Sequence, residues 1–164
     1  MSNPFRHLES TGQFQVERPV TTDEILNMAR CIIKRQFKRG KSLTSPNDCR
    51  EFLMLELATL EHEQFYVIYL DNQHRIIKAE PCSQGTIHSA NVYPREVVKR
   101  ALALNASALI LAHNHPSGVA GPSKQDRAIT KKLIEALALF EITVPDHFII
   151  GGTELFSFAE AGLL

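Results

Sequence analysis

Six consecutive residues at 65–70 (FYVIYL) leave no polar face for water. A strand that is apolar on both sides has to be covered on both sides, so this segment belongs in the middle of a layered sheet. A second short run, 106–112 (ASALILA), is apolar and has the length of a buried strand. The chain supplies helical patterns to cover them. Thr21 and Glu24 have the spacing of a capping box, and Ile25, Met28, Ala29, Ile32 and Phe37 follow as a helical stripe ending near Gly40. Ser45 and Pro46 start a second helix carrying Phe52, Leu53 and Leu57. Pro94 opens a third, to near Asn105, with Val97, Val98, Ala101 and Leu102 inward. Ser123 opens a fourth, to near Phe140, with Ile129, Leu133, Ile134 and Leu137 inward. Asp71 and Asn72 open a turn, and residues 75–80 return as the hairpin partner of 65–70. A short strand is expected at 85–87, and two more at 142–150 and 155–158 close the chain. Helices and strands in this order predict an α/β fold, a sheet layered by helices. Residues 1–19 are polar and mixed and read as a loose tail.

Charge and cysteine usage narrow the function classes. The 18 basic and 18 acidic residues cancel, so no overall field draws the chain to nucleic acid or to an anionic membrane. A local exception is the run Arg30, Lys34, Arg35, Lys38, Arg39 and Lys41, which contains no acidic residue. With the total charge balanced, a solvated outer face is the better reading of it, and nucleic-acid binding is expected to be absent or weak and salt-sensitive. Cys31, Cys49 and Cys82 are scattered and odd in number, which suits reduced thiols and not a disulfide framework. No apolar run reaches membrane-spanning length and no signal-peptide core is present, so a cytoplasmic location without membrane attachment is expected. Oligomeric state has no sequence signature here.

The chemistry concentrates in residues 111–126, LAHNHPSGVAGPSKQD. His113 and His115 follow the apolar run 106–112 directly, and on an extended backbone residues i and i+2 point the same way. Both rings can therefore face one ion. Asp126 follows ten residues later, after Pro116, Gly118, Gly121 and Pro122 have bent the chain. Two imidazoles and one carboxylate form the ligand set of a hydrolytic zinc site with one coordination position left for water. Ser123 and Asp126 also have capping-box spacing, which is compatible with the metal reading because a first helical turn restricts the carboxylate. The string His113-Asn114-His115 is not an HNH nuclease motif, which is spread over a longer hairpin. Among the other histidines, His88 is placed to approach the site as a hydrogen-bond donor behind the ligands. His147 is expected to pair with Asp146, and His7, His62 and His74 lie in polar surroundings.

His-x-His-Pro, six residues, Ser, two residues, Asp resembles the pattern of the JAMM (MPN+) metalloproteases. The longer string HNHPSG, Pro94 to Glu96 (PRE) and DHFIIGG at 146–152 resemble the bacterial RadC family. This resemblance runs from Ser42 to the end and divides the chain into an N-terminal tail and basic helix, 1–41, and a metal-dependent hydrolase domain, 42–164. It implies a mixed sheet in a deaminase-like α/β/α arrangement. It implies Zn²⁺ bound by His113, His115 and Asp126, with Ser123 stabilising the oxyanion and an upstream Glu as general base. Glu63 is the best match for that base, two residues before Phe65, with Glu61 as runner-up. On residue type alone, both are solvated charges ahead of a strand. Longer members of the family carry a helix-hairpin-helix region, and no Gly-rich hairpin of that kind precedes Ser42, so the chain reads as a short member. The leading expectation is a zinc metallopeptidase cleaving an amide or isopeptide bond of a protein or peptide. The alternative is a protein- or nucleic-acid-binding module with a structural or inactive metal, linked to DNA repair by family name only. A nucleobase deaminase is disfavoured, because His-x-Glu with Pro-Cys-x-x-Cys is absent.

Overall fold

In a computed structural model that describes residues 4–36, 46–84 and 92–164, the chain divides into two units, Met1–Gln36 and Phe37–Leu164. The first unit corrects the expected loose tail. β1 (Phe5–Leu8) and β2 (Gln13–Val16) pair antiparallel, with Phe5 opposite Val16 and Leu8 opposite Gln13. The turn between them closes with the Gly12 amide donating to the Leu8 carbonyl at 2.8 Å, and Gly12 takes a φ of 70° that favours glycine. The His7 ring packs on Phe14, with centroids 4.9 Å apart. Two four-residue strands on a tight turn carry too little periodic pattern to be seen in the sequence. α1 (Thr22–Gln36) starts at the expected capping box, where the Glu24 amide donates to Thr21 Oγ1 and the Thr21 amide donates to Glu24 Oε2. The Arg18 guanidinium adds a 2.6 Å bond, and it lowers the Glu24 carboxyl to about 2. Phe37, Lys38, Arg39, Gly40, Lys41 and Ser45 fall outside the described residues.

The second unit contains α2 (Pro46–Leu57), β3 (Gln64–Leu70), β4 (Ile76–Gln84), α3 (Pro94–Ala103), β5 (Ala108–Asn114), α4 (Lys124–Ala138), β6 (Thr143–Gly151) and β7 (Glu154–Ser157). Its five strands form one mixed sheet in the order β4-β3-β5-β6-β7. β3 is antiparallel to both neighbours, β6 and β7 form a hairpin, and β5 and β6 run parallel with α4 as the crossover. The fully apolar run becomes the inner strand β3, buried from Phe65 to Leu70 as its sequence demands. Phe65, Val67 and Tyr69 of β3 and Leu109 and Leu111 of β5 share a core with Val97, Val98 and Ala101 of α3 and Leu133 and Leu137 of α4. Tyr66 faces the other way and meets Phe52 of α2 edge-on. The sheet is thus layered by helices, as the element order predicts. One inward assignment fails: Leu102 is 49% exposed, because it lies past the edge of the face that Val97 and Ala101 define. The candidate strand at 85–87 and His88 lie outside the described residues. No helix among the described residues is long and apolar enough to cross a membrane.

Candidate metal centre

The site is built where β5 ends against the first turn of α4. His113 continues the buried row of Leu109 and Leu111 and is itself 1% exposed. Its ring stacks on Phe65, with planes 9° apart. The strand's course carries on past Asn114, because the His115 amide donates to the Ile150 carbonyl at 2.8 Å. His115 therefore stays on the side of His113, and the two Nε2 atoms lie 3.0 Å apart. Ser123 caps α4: its Oγ accepts from the Asp126 amide at 3.1 Å, and its own amide donates to Asp126 Oδ2 at 2.7 Å. This capping box aims the carboxylate at the histidines, with Oδ1 3.2 Å from His113 Nε2 and Oδ2 3.4 Å from His115 Nε2.

These spacings can be tested against an ion. Tetrahedral zinc, with ligand bonds of about 2.0–2.1 Å, places its ligand atoms about 3.3 Å from one another. The two Nε2 atoms, 3.0 Å apart, and the approach of each imidazole to its own carboxylate oxygen, 3.2 Å to Oδ1 and 3.4 Å to Oδ2, are near that value. The residues therefore fit a metal ion held by His113, His115 and Asp126, whose donor atoms lie within 4.8 Å of one another. Without such an ion, a proton has to bridge the facing acceptors. Accordingly, the Asp126 carboxylate holds the His115 imidazolium above its ordinary range, against the opposing effect of burial. Burial pushes the Asp126 carboxyl up, but hydrogen bonds from His113, His115 and Ser123 outweigh it and hold the group far below the usual carboxylate range.

His115 is oriented from behind. Its Nδ1 donates to the Val119 carbonyl at 2.8 Å, which leaves Nε2 as a bare acceptor toward the site. The loop that carries this carbonyl lies directly on Gly151 at the end of β6. A Cβ at residue 151 would stand 2.4 Å from the Ala120 amide nitrogen and 2.6 Å from the Val119 carbonyl carbon. Gly151→Ala should therefore displace the loop, costing ~1–3 kcal/mol of stability and lowering Zn²⁺ affinity on the order of ten-fold. Thermal unfolding and a chelator-competition titration measure the two effects. Unchanged affinity in a folded Gly151→Ala protein would show that the Val119 carbonyl does not hold His115.

Asn114 points away from the two histidines and ties down a neighbouring segment. Its Nδ2 donates to the carbonyls of His62 (3.0 Å) and Leu60 (3.3 Å), and its Oδ1 accepts from the Gln64 amide (2.8 Å). These bonds straddle Glu63. Continued by two residues, the antiparallel register that sets Phe65 opposite His113 would bring Glu63 alongside His115. Glu63 is half-buried, and its charge contributes to raising the His115 pKa. Glu61 is exposed. The Ser123 side chain, already an acceptor for the Asp126 amide, keeps its hydroxyl hydrogen for another partner.

One histidine expectation is corrected. The His147 ring does not pair with Asp146, whose carboxylate accepts instead from the backbone amides of His147 and Ala159 and from the Ser157 hydroxyl. The imidazole turns inward, fully buried, and sets Nε2 2.9 Å from His113 Nδ1 and Nδ1 2.7 Å from Thr130 Oγ1. The cause is strand parity: His147 pairs with Leu111 across the parallel β5–β6 ladder and so shares the face of His113, one pleat further on. The sequence pattern assigned no role at the site to Asn114, Thr130, Val119 or Gly151. The buried DHFIIGG strand pointed to His147, but not to what its ring would touch.

Comparison with known proteins places this site in a family context. The family described as "RadC-like JAB domain" matches residues 43–163. The UPF0758 protein VP0184 of Vibrio parahaemolyticus is 54% identical over 143 residues, covering 87% of this chain and 64% of that relative. A UPF0758 protein of Chromohalobacter salexigens is 55% identical over 139 residues, 85% of this chain and 62% of the relative. One from Leptothrix cholodnii is 53% identical over 140 residues, 85% of this chain and 63% of the relative. The chain thus spans less than two thirds of the length of these curated relatives.

Proposed function

The chain belongs to the bacterial RadC family, and from that premise we propose that it is a zinc-dependent hydrolase, a metallopeptidase of the JAMM type acting on an amide or isopeptide bond. The observation that carries the reading is the convergence of His113 Nε2, His115 Nε2 and the Asp126 carboxylate at spacings suited to a tetrahedral ion. A Zn²⁺ held by these three residues would supply a Lewis acid that polarises a carbonyl and lowers the pKa of a water molecule.

The chain's own residues supply the remaining steps. Glu63 takes the proton of the attacking water and passes it to the leaving amine. Its backbone is anchored on either side by the Asn114 bonds, and its charge is felt at His115. Ser123 Oγ, fixed as the N-cap of α4, donates its hydroxyl hydrogen to the oxygen that gains negative charge. Its position at the exposed end of the capping box leaves it open to a substrate carbonyl. A protein-binding module with an inactive metal would have no use for an anchored carboxylate and an open hydroxyl donor near the ligand set. These features favour the enzyme.

Metal analysis of the purified protein, joined to an unbiased peptide-cleavage screen, tests the proposal. About one equivalent of Zn²⁺ per chain is expected, because three protein ligands and one open position make a complete catalytic set. Chelator-sensitive cleavage, restored by Zn²⁺, is the second expected result. Stoichiometric zinc with no cleavage of any peptide or isopeptide would favour the binding module.

A further inference from the structure

His113 presents a bare Nε2 to the site only if its proton sits on Nδ1, and a chain of buried hydrogen bonds behind the ring dictates this. Thr130 Oγ1 lies 2.6 Å from the Asp126 carbonyl oxygen, one helical turn back along α4. A carbonyl has no hydrogen to give, so the single hydroxyl hydrogen of Thr130 is spent there. The other neighbour of that hydroxyl, His147 Nδ1 at 2.7 Å, must therefore be the donor. The His147 ring is fully buried, and among the described residues its two nitrogens meet only Thr130 Oγ1 and His113 Nδ1, with no carboxylate to balance a charge, so it is the neutral ring with one proton. With that proton on Nδ1, His147 Nε2 is an acceptor. His113 Nδ1, 2.9 Å away, has to donate to it.

We propose that Thr130 and His147 are positioning residues that fix the tautomer of His113, so that its Nε2 lone pair is held open for the metal ion. Orientation comes with the tautomer. His147 is 0% exposed and clamped between Phe158, stacked with centroids 4.8 Å apart, and the edge of Phe65. Thr130 is 2% exposed and sits in the same helix as Asp126. One hydroxyl thus ties the helix that brings the carboxylate to His147 of β6, and through it to His113 at the end of β5. His115 reaches the same tautomer by a separate route through the Val119 carbonyl. The inference rests on the metal part of the proposed function and does not depend on the peptidase part.

The test crosses two substitutions at one position. Thr130→Val keeps the volume and removes the hydroxyl, whereas Thr130→Ser keeps the hydroxyl and removes a methyl. In Thr130→Val the His147 proton loses its acceptor and can move to Nε2. It would then drive the His113 proton onto the nitrogen that faces the metal. Zn²⁺ affinity by chelator competition should fall ~10–100-fold in Thr130→Val and stay within a few-fold of wild type in Thr130→Ser. A purely structural role would rank the two by thermal stability instead. Nitrogen-15 chemical shifts of the histidine rings in metal-free protein give a second readout that needs no metal. Wild type should show protonated Nδ1 on both His113 and His147, and Thr130→Val should show a shift of the His113 proton toward Nε2. A wild-type His113 with no proton on Nδ1, or a Thr130→Val protein with unchanged affinity and shifts, would overturn the proposal. The expected wild-type shifts without zinc binding would sink the metal reading and leave the tautomer relay standing.

Discussion

His113→Ala/His115→Ala should reduce Zn²⁺ binding from about one equivalent to none, while the protein remains folded. Two of three protein ligands go, and a lone carboxylate cannot compete with water for zinc. The fold should survive because the core is carried by aliphatic residues such as Leu109, Leu111, Leu133 and Leu137, all fully buried. His113 fills a buried position, so its truncation leaves a cavity and costs ~2–4 kcal/mol. Circular dichroism and metal analysis on the same sample separate loss of ligands from loss of structure. Asp126→Ala is a less clean probe. It also removes half of the capping box that starts α4, worth about 1 kcal/mol, whereas Asp126→Asn keeps an oxygen for the Ser123 amide. Wild-type affinity should weaken as pH falls. The raised pKa of His115 means the apo site holds its proton to higher pH than a free imidazole does, and a metal has to displace it. The double variant has no such proton to lose, so any residual binding should not follow that pH dependence. Full zinc content in the double variant would sink the ligand assignment.

The parts of this site that could be read from sequence share a physical basis: they depend on local periodicity. His113 and His115 face the same way because strand parity is two, and Asp126 is aimed by a cap whose spacing is visible in Ser123 and Asp126. The inner strand β3 was legible because an apolar run has few alternatives. The second layer of the site depends on long-range register and so was not legible. His147 meets His113 because β6 pairs in parallel with β5 across the whole of α4, and nothing in either strand announces that register. Gly151 matters because a loop more than 30 residues earlier in the chain lies against it. Asn114 looked like the spacer between two ligands, and its work is done on residues of a different strand. The hairpin of β1 and β2 escaped for the opposite reason, being local but too short to leave a pattern.

Glu63→Gln should keep the metal and the fold but lose hydrolysis by ~10²–10⁴ in rate, the range expected when general-base help alone is removed. Gln has the shape of Glu and can still hydrogen-bond a water molecule, but it cannot accept a proton at neutral pH. The surroundings support this use of the substitution. Glu63 lies outside the capping box and outside the hydrophobic core, and the segment around it is anchored through backbone atoms of Leu60, His62 and Gln64. Exchange of one side chain should therefore leave that anchorage intact, and zinc content should match wild type. Because the Glu63 charge helps to raise the His115 pKa, Glu63→Gln should also let the apo site release its proton at a somewhat lower pH, a readout that needs no substrate. Glu61→Gln serves as the control. Glu61 is exposed and shares strand parity with Glu63, so its charge is the nearest alternative base. An inactive Glu61→Gln beside a fully active Glu63→Gln would move the base to residue 61. Full activity in both would mean that hydrolysis here does not use a JAMM-type base, even with zinc bound.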